Sequence, residues 1–349
     1  MNTTENYFAS ANTTEGFKSF FSVIFDPEKL KKILIIKGGP GTGKSHLMKK
    51  AALWGEKKGW KTKRFSCSSD PDSLDAVLFP EQGLALLDGT SPHSFEARFP
   101  GAVEEIFDAG AYWNQSVLEE KRDEICLLTK KKTDAYRCAD LYFSAAGNFY
   151  RRALAVIHPY FLYEKAEKAI DRLLSHFPGE GDEKRSVCFN ESFNHFGFNR
   201  SLSFEKEALS GYSIRDEKHS AYLFLNLLEK KLAAKKIART IGFSAFDPQN
   251  VSGIYLENEK KYFTIDCGAK LPENGKTINM LRFLSPEYQT EKKKVKYLFR
   301  CADFLALEAQ KSYAEAREAH LLLEAVYTPA MDFKGLNAAF RKKMREYGL

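Results

Sequence analysis

The chain has 349 residues, of which 44% are hydrophobic, and its 53 basic and 46 acidic side chains give a formal net charge of +7. This composition is typical of a soluble globular protein with room for two domains, and no apolar run is long enough to span a membrane. The six cysteines lie far apart without zinc-site spacing, so we expect reduced thiols. The N-terminus resembles no secretion signal, and we expect a cytoplasmic protein.

The first element with a clear signal is a strand, a loop and a helix between residues 33 and 59. Ile33 to Ile36 form a continuous apolar run, as in a strand that is buried on both faces. The segment KSHLMKKAALWGEKKG places apolar residues at helical spacing and ends at Gly59, a typical helix stop. Between them GGPGTGKS matches the phosphate-loop pattern G-x-x-x-x-G-K-[ST] in the context that this pattern requires.

The residue types of this loop suit a polyphosphate. Backbone N–H groups can surround negative charge only where side chains leave room, which explains the glycines, and the helix N-terminus adds a partial positive charge. Lys44 is expected to reach the β- and γ-phosphates, and the Ser45 hydroxyl to ligate Mg²⁺. The predicted nucleotide-binding residues are Gly38, Gly39, Pro40, Gly41, Thr42, Gly43, Lys44, Ser45 and His46.

The next apolar run, Leu84 to Leu87, ends at Asp88. Open α/β sheets bind ligands at the carboxyl ends of their strands, so Asp88 is predicted to ligate Mg²⁺ together with Ser45 and to be catalytic together with Lys44. A turn or cap role for Asp88 is the alternative. Because no glutamate follows Asp88, both slow hydrolysis and phosphoryl transfer to another acceptor stay open.

The chain contains two copies of one unit, because four segments recur in the same order. The matched pairs are Gly16 with Gly197, Asp70 with Asp247, Asp88 with Asp266, and Arg137 with Arg300. In the second copy the counterpart of the phosphate loop, SGYSIRDEKHS, keeps Gly211 but has no G-K-S. We therefore expect one active and one inactive unit.

The second copy has also lost residues from the loop that follows Asp88, and His93 lies in that loop. His93 is therefore a candidate general base or a sensor of the terminal phosphate, with an ordinary loop histidine as the alternative.

The repeat also sorts three aspartates near residue 70. Asp70 is followed by Pro71 and is matched in both copies, which is typical of a helix N-cap, so we expect a structural role. Asp72 and Asp75 have no acidic counterpart in the second copy and are better candidates for function, although a helical first turn also favours carboxylates.

Long helices are predicted after each loop region. Apolar residues, many of them alanine, recur at steps of three and four from Tyr136 to Ile157 and again from Phe299 to His320. We expect these seams to pack the two units against each other or within each unit, with a protein-binding arm as the alternative. The lysine runs at 130–132 and 292–294 are typical of solvated helix faces, and we do not expect nucleic-acid binding.

The segment from Ser175 to Arg185 combines proline, glycine and charge, as a linker does. The predicted domains are residues 1–180, with the intact phosphate loop, and 181–349, without it. The predicted fold is α/β, with a mainly parallel sheet of the P-loop NTPase type flanked by helices in each unit.

The motifs GGPGTGKS, CSSDPDSLD and LALLDGTSPH together make the chain resemble, nearly end to end, an uncharacterised family of bacterial ATP-binding proteins with tandem P-loop units. The resemblance implies ATP as the nucleotide, with Mg²⁺, and ATP hydrolysis. In that family the second unit commonly has a complete phosphate loop, and this chain departs from the family there.

Three functions follow from these patterns. The first is a Mg-ATPase with one active unit; the second is a small-molecule kinase that uses Asp72, Asp75 or His93 near the acceptor; the third is an ATP-regulated or nucleic-acid-associated scaffold. Arg215 or Arg282 of the second unit could complete the first site as an arginine finger.

Overall fold

The computed structural model describes residues 2–4, 6–90, 95–175, 177, 184–268 and 275–349. Strands and helices alternate through most of the chain, so the predicted α/β class is confirmed. The first repeat contains the strands β1 (Asn2–Thr4), β2 (Ser10–Thr13), β3 (Gly16–Ser19), β4 (Lys32–Lys37), β5 (Lys63–Ser66), β6 (Leu74–Phe79), β7 (Leu84–Asp88) and β8 (Glu104–Asp108). Its helices are α1 (Phe21–Ile24), α2 (Lys44–Lys57), α3 (Gln115–Glu120), α4 (Arg122–Ile157) and α5 (Tyr163–Leu174).

The second repeat follows the same order. Its strands are β9 (Arg185–Phe189), β10 (Glu191–Asn194), β11 (Gly197–Ser201), β12 (Ser210–Arg215), β13 (Arg239–Phe243), β14 (Val251–Leu256), β15 (Lys261–Ile265) and β16 (Gly275–Asn279). Its helices are α6 (Ser203–Glu207), α7 (Ala221–Ala234), α8 (Lys292–Tyr327) and α9 (Phe333–Glu346). The counterparts α2 and α7 have 14 residues each, and α4 and α8 have 36 each, so the internal repeat is visible in the elements themselves.

The two larger sheets are mixed but mainly parallel, because in each of them a single strand, β6 or β14, runs against all the others. Five strands follow the same order in both, and β9 is an additional edge strand of the second sheet. The two orders are β5-β6-β7-β4-β8 and β9-β13-β14-β15-β12-β16. In the first, β4 is parallel to β7 and β8, whereas β6 is antiparallel to β5 and β7. The chain between β6 and β7 is only residues 80–83 long, and a parallel pair would need a crossover of a dozen residues or more.

The compact units do not follow the predicted division at residue 180. Unit A comprises Asn6–Ser10, Ser19–Ala139 and Gln310–Leu349, whereas unit B comprises Met1–Glu5, Ala11–Lys18 and Asp140–Ala309. Each unit therefore joins the sheet of one repeat to the last helix of the other. In unit A, Phe340 and Met344 of α9 share a core with Met48 of α2, and in unit B, Ile170 of α5 shares one with Leu228 of α7.

The apolar seams of the long helices are packed, as predicted. Ala139, Phe143, Ala146, Ala153 and Ile157 of α4 are fully buried. Small side chains at these positions let neighbouring segments approach the helix closely. The predicted linker falls largely on residues 176 and 178–183, which lie outside the described residues.

The prediction that Asp70 and Pro71 begin a helix is wrong. They form a turn, after which the chain enters strand β6. The short apolar run in LDAVLF fits either a strand or a buried helix by pattern alone, and pairing with β5 and β7 decides for the strand. None of the helices within the described residues is both long and apolar enough to cross a bilayer.

Candidate functional site

The loop predicted to bind phosphate lies at the carboxyl edge of the sheet in unit A. Strand β4 is flanked on both sides by parallel strands, so the segments that follow β4, β7 and β8 emerge at the same edge. These segments carry the loop from Gly38 to Gly43, the end of β7 at Asp88, and Trp113. The sheet thus assembles at one edge what the sequence distributes over about 75 residues.

The loop backbone needs its glycines. Gly41 and Gly43 have φ of +70° and +79°, in the left-handed region that residues with a Cβ avoid. A Cβ on Gly38 would lie 2.9 Å from Thr42 Oγ1, and Thr42 itself is fully buried and donates to Gly39 O at 2.8 Å. The glycines therefore allow a tight turn that directly precedes the N-terminus of α2.

Lys44, the first residue of α2, directs its ammonium back into this loop. Its Nζ donates to the carbonyl oxygens of Gly38 at 2.8 Å and Gly39 at 3.0 Å, and lies 3.7 Å from an Asp88 carboxylate oxygen. Both side chains are largely buried, at 13% and 15% exposed. The predicted pair of Lys44 and Asp88 is thus brought together in one place.

Burial raises the pKa of Asp88 above its ordinary value, against the effect of Lys44, and the nearby Asp75 carboxylate raises it further. Thr90 opposes this rise, because both its backbone N–H and its hydroxyl donate to Asp88. The site therefore holds a carboxyl group that is less easily ionised than an aspartate in water.

Asp75 stands beside Asp88. The antiparallel register pairs Ala76 with Leu87, so the adjacent residues Asp75 and Asp88 are neighbours at this edge of the sheet, and the charge of Asp75 raises the pKa of Asp88. Asp75 is buried, and its carboxylate interacts with the Cys67 thiol, whose pKa is raised mainly by burial. The sequence indicates Asp75 only through the comparison of the two repeats. Its proximity to Asp88 depends on how β6 pairs with β7, which the sequence does not show.

The other predicted binding residues lie around the start of α2. Ser45 Oγ accepts a hydrogen bond from the backbone N–H of Leu74 at 2.9 Å, and the hydroxyl proton and a lone pair remain for another partner. His46 is exposed in the first turn of α2, and its pKa is lowered by partial burial and by Lys49 and Lys50. Pro40 joins the glycines at the tip of the loop.

Aromatic side chains support the outer side of the loop. A Cβ on Gly39 would lie 3.2 Å from the Trp113 ring, and one on Gly43 would lie 3.5 Å from Phe333 at the start of α9. The ring of Trp113 also packs against Tyr327, at the end of α8, with 5.4 Å between centroids. Residues from both repeats therefore pack against the outer side of the loop.

Helix α8 adds charged residues that the motifs did not indicate. Arg317 forms an ion pair with Asp70 at 2.9 Å, and His320 lies 3.6 Å from Glu324. The last turn of α8 contacts the loop itself, because a Cβ on Gly41 would lie 3.0 Å from the carbonyl oxygen of Glu324. These residues follow the spacing of three and four that predicted a packed face on this helix. The spacing alone did not indicate that the end of this face contacts the loop.

One lysine of the run at 130–132 also belongs to this region. Lys130 and Lys131 are exposed as expected, whereas Lys132 is half-buried, and burial together with the charge of Lys44 lowers its pKa. Lys132 therefore places a second ammonium near the loop, and for this residue the solvated-face interpretation is wrong.

In unit B, the loop that corresponds to the phosphate loop carries an acidic side chain at the N-terminus of α7. Strand β12 and helix α7 match β4 and α2, but the residues between them are Asp216 to Ser220. The Asp216 carboxylate accepts from the backbone N–H groups of Ser220 at 2.8 Å and Ala221 at 2.9 Å. A carboxylate of the loop thus occupies the N-terminus of α7.

Two details of the sequence comparison are corrected by the strand register. Gly211 lies within β12, where it packs on Tyr262, and is not a loop glycine. Asp266 donates its backbone N–H to Ile214 as Gly89 does to Ile36, so Asp266 matches Gly89 and not Asp88. The residue in the place of Asp88 is Ile265, which means that the second repeat has also lost this aspartate.

The remaining candidates are not in the site or lie outside the described residues. His93 falls within 91–94, which the structure does not describe. Asp72 is exposed in the turn before β6. Arg215 and Arg282 belong to unit B, so neither is part of the compact unit that contains the loop.

Within the described ranges, no three His, Cys, Asp or Glu side chains form a group that could hold a metal ion by themselves. An ion at this edge would need oxygen atoms from Ser45, water or a ligand in addition to the two carboxylates. Comparison of the chain with protein-family models, with curated proteins and with solved structures gives no match.

Proposed function

We propose that the chain binds a magnesium nucleoside triphosphate at the loop from Gly38 to Ser45 and hydrolyses it. The observation that carries the proposal is the position of Lys44, whose ammonium lies within the loop at 2.8 Å from Gly38 O and 3.7 Å from Asp88. ATP as the nucleotide, and membership of the tandem P-loop family, are part of the proposal through the sequence resemblance.

The loop fits a polyphosphate by shape and by charge. Its glycines keep Cβ atoms away from the amides, and a Cβ at Gly38 would collide with Thr42 at 2.9 Å. Lys44, Lys132 and the N-terminus of the 14-residue helix α2 supply positive charge. The second repeat, with Asp216 in the same place, lacks this combination and is proposed to bind no triphosphate.

The oxygen atoms near Lys44 also fit Mg²⁺. Ser45 offers a hydroxyl, and Asp88 and Asp75 offer carboxylates, which are the ligand types that this ion prefers. When bound, the ion would offset the negative charge of the phosphates. The roles we assign are direct or water-mediated contact for Ser45 and Asp88.

Asp75 is proposed to accept a proton from the attacking water. Asp75, in the strand next to that of Asp88, supplies the second carboxylate that a glutamate after Asp88 would supply along the chain. Burial raises the pKa of Asp88 and the charge of Asp75 raises it further, so the two carboxylates are close enough to interact. Lys44 is proposed to stabilise charge on the terminal phosphate.

The test is calorimetric titration of the purified chain with MgATP and MgGTP. Lys44→Ala should weaken MgATP binding by about tenfold or more, since it removes the buried ammonium. Lys49→Ala, an exposed lysine on the same helix, is the matched control and should bind as the wild type does. Equal binding by the Lys44 and Lys49 variants would refute the proposal.

A second measurement separates hydrolysis from transfer to an acceptor. ATP labelled at the terminal phosphate is incubated with the chain and a metabolite mixture, and labelled products are separated. Hydrolysis gives free phosphate only, whereas the small-molecule kinase alternative requires a second labelled compound.

A further inference from the structure

Unit B contains an open cleft between the end of α4, the start of α7 and the loop that follows β13. Its volume is about 380 Å³, at the lower end of the range for small-molecule sites, and its lining belongs entirely to this unit. The lining combines apolar and polar side chains from all three segments, among them Arg151, Leu154, Ala155, Tyr222, Asp247 and Asn250. A cleft of this size with a few converging polar groups suits a small polar molecule.

Asp247 is the anionic group of the cleft. It is only 7% exposed, and Asn250 Nδ2 donates to its Oδ2 at 2.8 Å. Asn250 is itself fixed, because its Oδ1 accepts from Asn226 Nδ2 at 2.7 Å, and Asn226 Oδ1 accepts from the backbone N–H of Val251 at 3.0 Å. Burial raises the pKa of Asp247, so a cation that entered the cleft would stabilise the ionised carboxylate.

Arg151 is the cationic group of the cleft. Its Nη1 donates to Thr14 Oγ1 at 3.2 Å, and its Nη2 donates to Asn148 Oδ1 at 3.0 Å. Both acceptors are neutral, and a guanidinium has five N–H groups, so donors remain for a ligand. In the part of the chain that the structure describes, neither Arg151 nor Asp247 forms an ion pair, with each other or with another residue.

The first repeat neutralises the corresponding aspartate directly. Asp70, which the sequence comparison matches with Asp247, forms an ion pair with Arg317 of α8 at 2.9 Å. In unit B the two opposite charges instead line one cleft and lie farther apart than the atoms of an ion pair. A small molecule that carries both charges would satisfy the two groups together.

We propose that this cleft binds a free α-amino acid, with the ligand carboxylate on Arg151 and the ligand ammonium on Asp247. The planar guanidinium matches the two oxygen atoms of a carboxylate, and a carboxylate accepts strong hydrogen bonds from an ammonium. Leu154, Ala155 and the ring of Tyr222 supply apolar surface for the rest of the ligand. Binding at this cleft uses residues of unit B alone and needs no nucleotide in the phosphate loop.

The experiment is calorimetric titration of the full chain with each of the standard L-amino acids, to detect dissociation constants of about 1 mM or below. At least one of them should bind. Arg151→Gln and Asp247→Asn should each weaken that binding about tenfold or more, since each removes one charged partner. Arg152→Gln, at the exposed next residue of α4, is the matched control and should bind as the wild type does. No binding of any amino acid, or full binding by either Arg151→Gln or Asp247→Asn, would overturn the inference.

Derivatives of the amino acid that binds test the two charges without any change in the protein. The N-acetyl derivative lacks the ammonium and the α-amide lacks the carboxylate, so each should bind the wild type about tenfold or more weakly than the amino acid itself. Undiminished binding of either derivative would refute the proposed contacts. Ala155→Phe keeps both charges but fills the cleft from its exposed wall, so it should abolish binding, and unchanged affinity would place the ligand elsewhere and overturn the inference.

Discussion

Replacing Gly41 with alanine should destabilise unit A more than the same change at a comparable glycine. Gly41 has φ of +70°, and left-handed backbone costs an alanine roughly 1–2 kcal/mol. In addition, the new methyl would meet the carbonyl oxygen of Glu324 at 3.0 Å and the backbone nitrogen of Thr328 at 3.3 Å. Forcing a methyl into a filled space costs about 1–3 kcal/mol more.

Gly101→Ala is the matched control. Gly101 has φ of +79°, yet no atom lies within 4 Å of the position that an alanine methyl would take, so the backbone cost stands alone there. We expect the free energy of unfolding to fall by about 1–2 kcal/mol in Gly101→Ala and by about 3–4 kcal/mol in Gly41→Ala.

Urea unfolding followed by tryptophan fluorescence reports on the right part of the chain. The three tryptophans are Trp54, Trp60 and Trp113, and all of them belong to unit A. Equal losses in the two variants would mean that the end of α8 does not pack on the loop.

Three further predictions concern the carboxylates. Asp75→Asn should slow the release of phosphate from ATP about a hundredfold while MgATP binding changes little, because an amide cannot accept the proton of the attacking water; a phosphate-release assay and a titration measure the two effects, and an unchanged rate would contradict the role. Asp88→Asn should have a larger free energy of unfolding than the wild type at pH 7. The pKa of Asp88 is raised in the folded state, so the stability of the wild type falls as pH rises through that pKa. The difference between the two proteins should disappear near pH 4, and a difference that widens there would contradict this. Asp216→Ala should lose about 1–2 kcal/mol from unit B, seen as faster hydrogen exchange in α7, with MgATP binding unchanged.

The parts of the site that follow from local pattern were predictable from the sequence. The run before Gly38, the spacing of Gly43 and Lys44, and Asp88 at the end of an apolar run each depend on a few neighbouring residues. The duplication was visible for the same reason, since it compares residues with residues.

The parts that depend on pairing between distant segments were not predictable. Asp75 meets Asp88 only because β6 runs antiparallel to β7, whereas the local pattern after Asp70 favours a helix. The match of Asp88 with Asp266 is one residue out, because it pairs two aspartates, whereas β6 and β7 are related to β14 and β15 by one constant offset that pairs Asp88 with Ile265. A shift by one residue moves a side chain to the other face of a strand.

The loops that precede α7 and α2 differ in what packs against them. Asp216 lies within the turn whose amides it accepts from, so removing it would require the loop itself to refold. The loop before α2 is contacted instead by the end of α8, where the carbonyl oxygen of Glu324 would lie 3.0 Å from a Cβ on Gly41. This contact lies just before the 3-10 turn at Thr328–Ala330, and helices unwind most readily at their ends. Moving this contact away from Gly41 needs only a local change in the last turn of α8. A loop whose amides bind a carboxylate of the loop itself is suited to a structural unit. A loop that is covered by the end of a helix is suited to a unit that opens for a ligand.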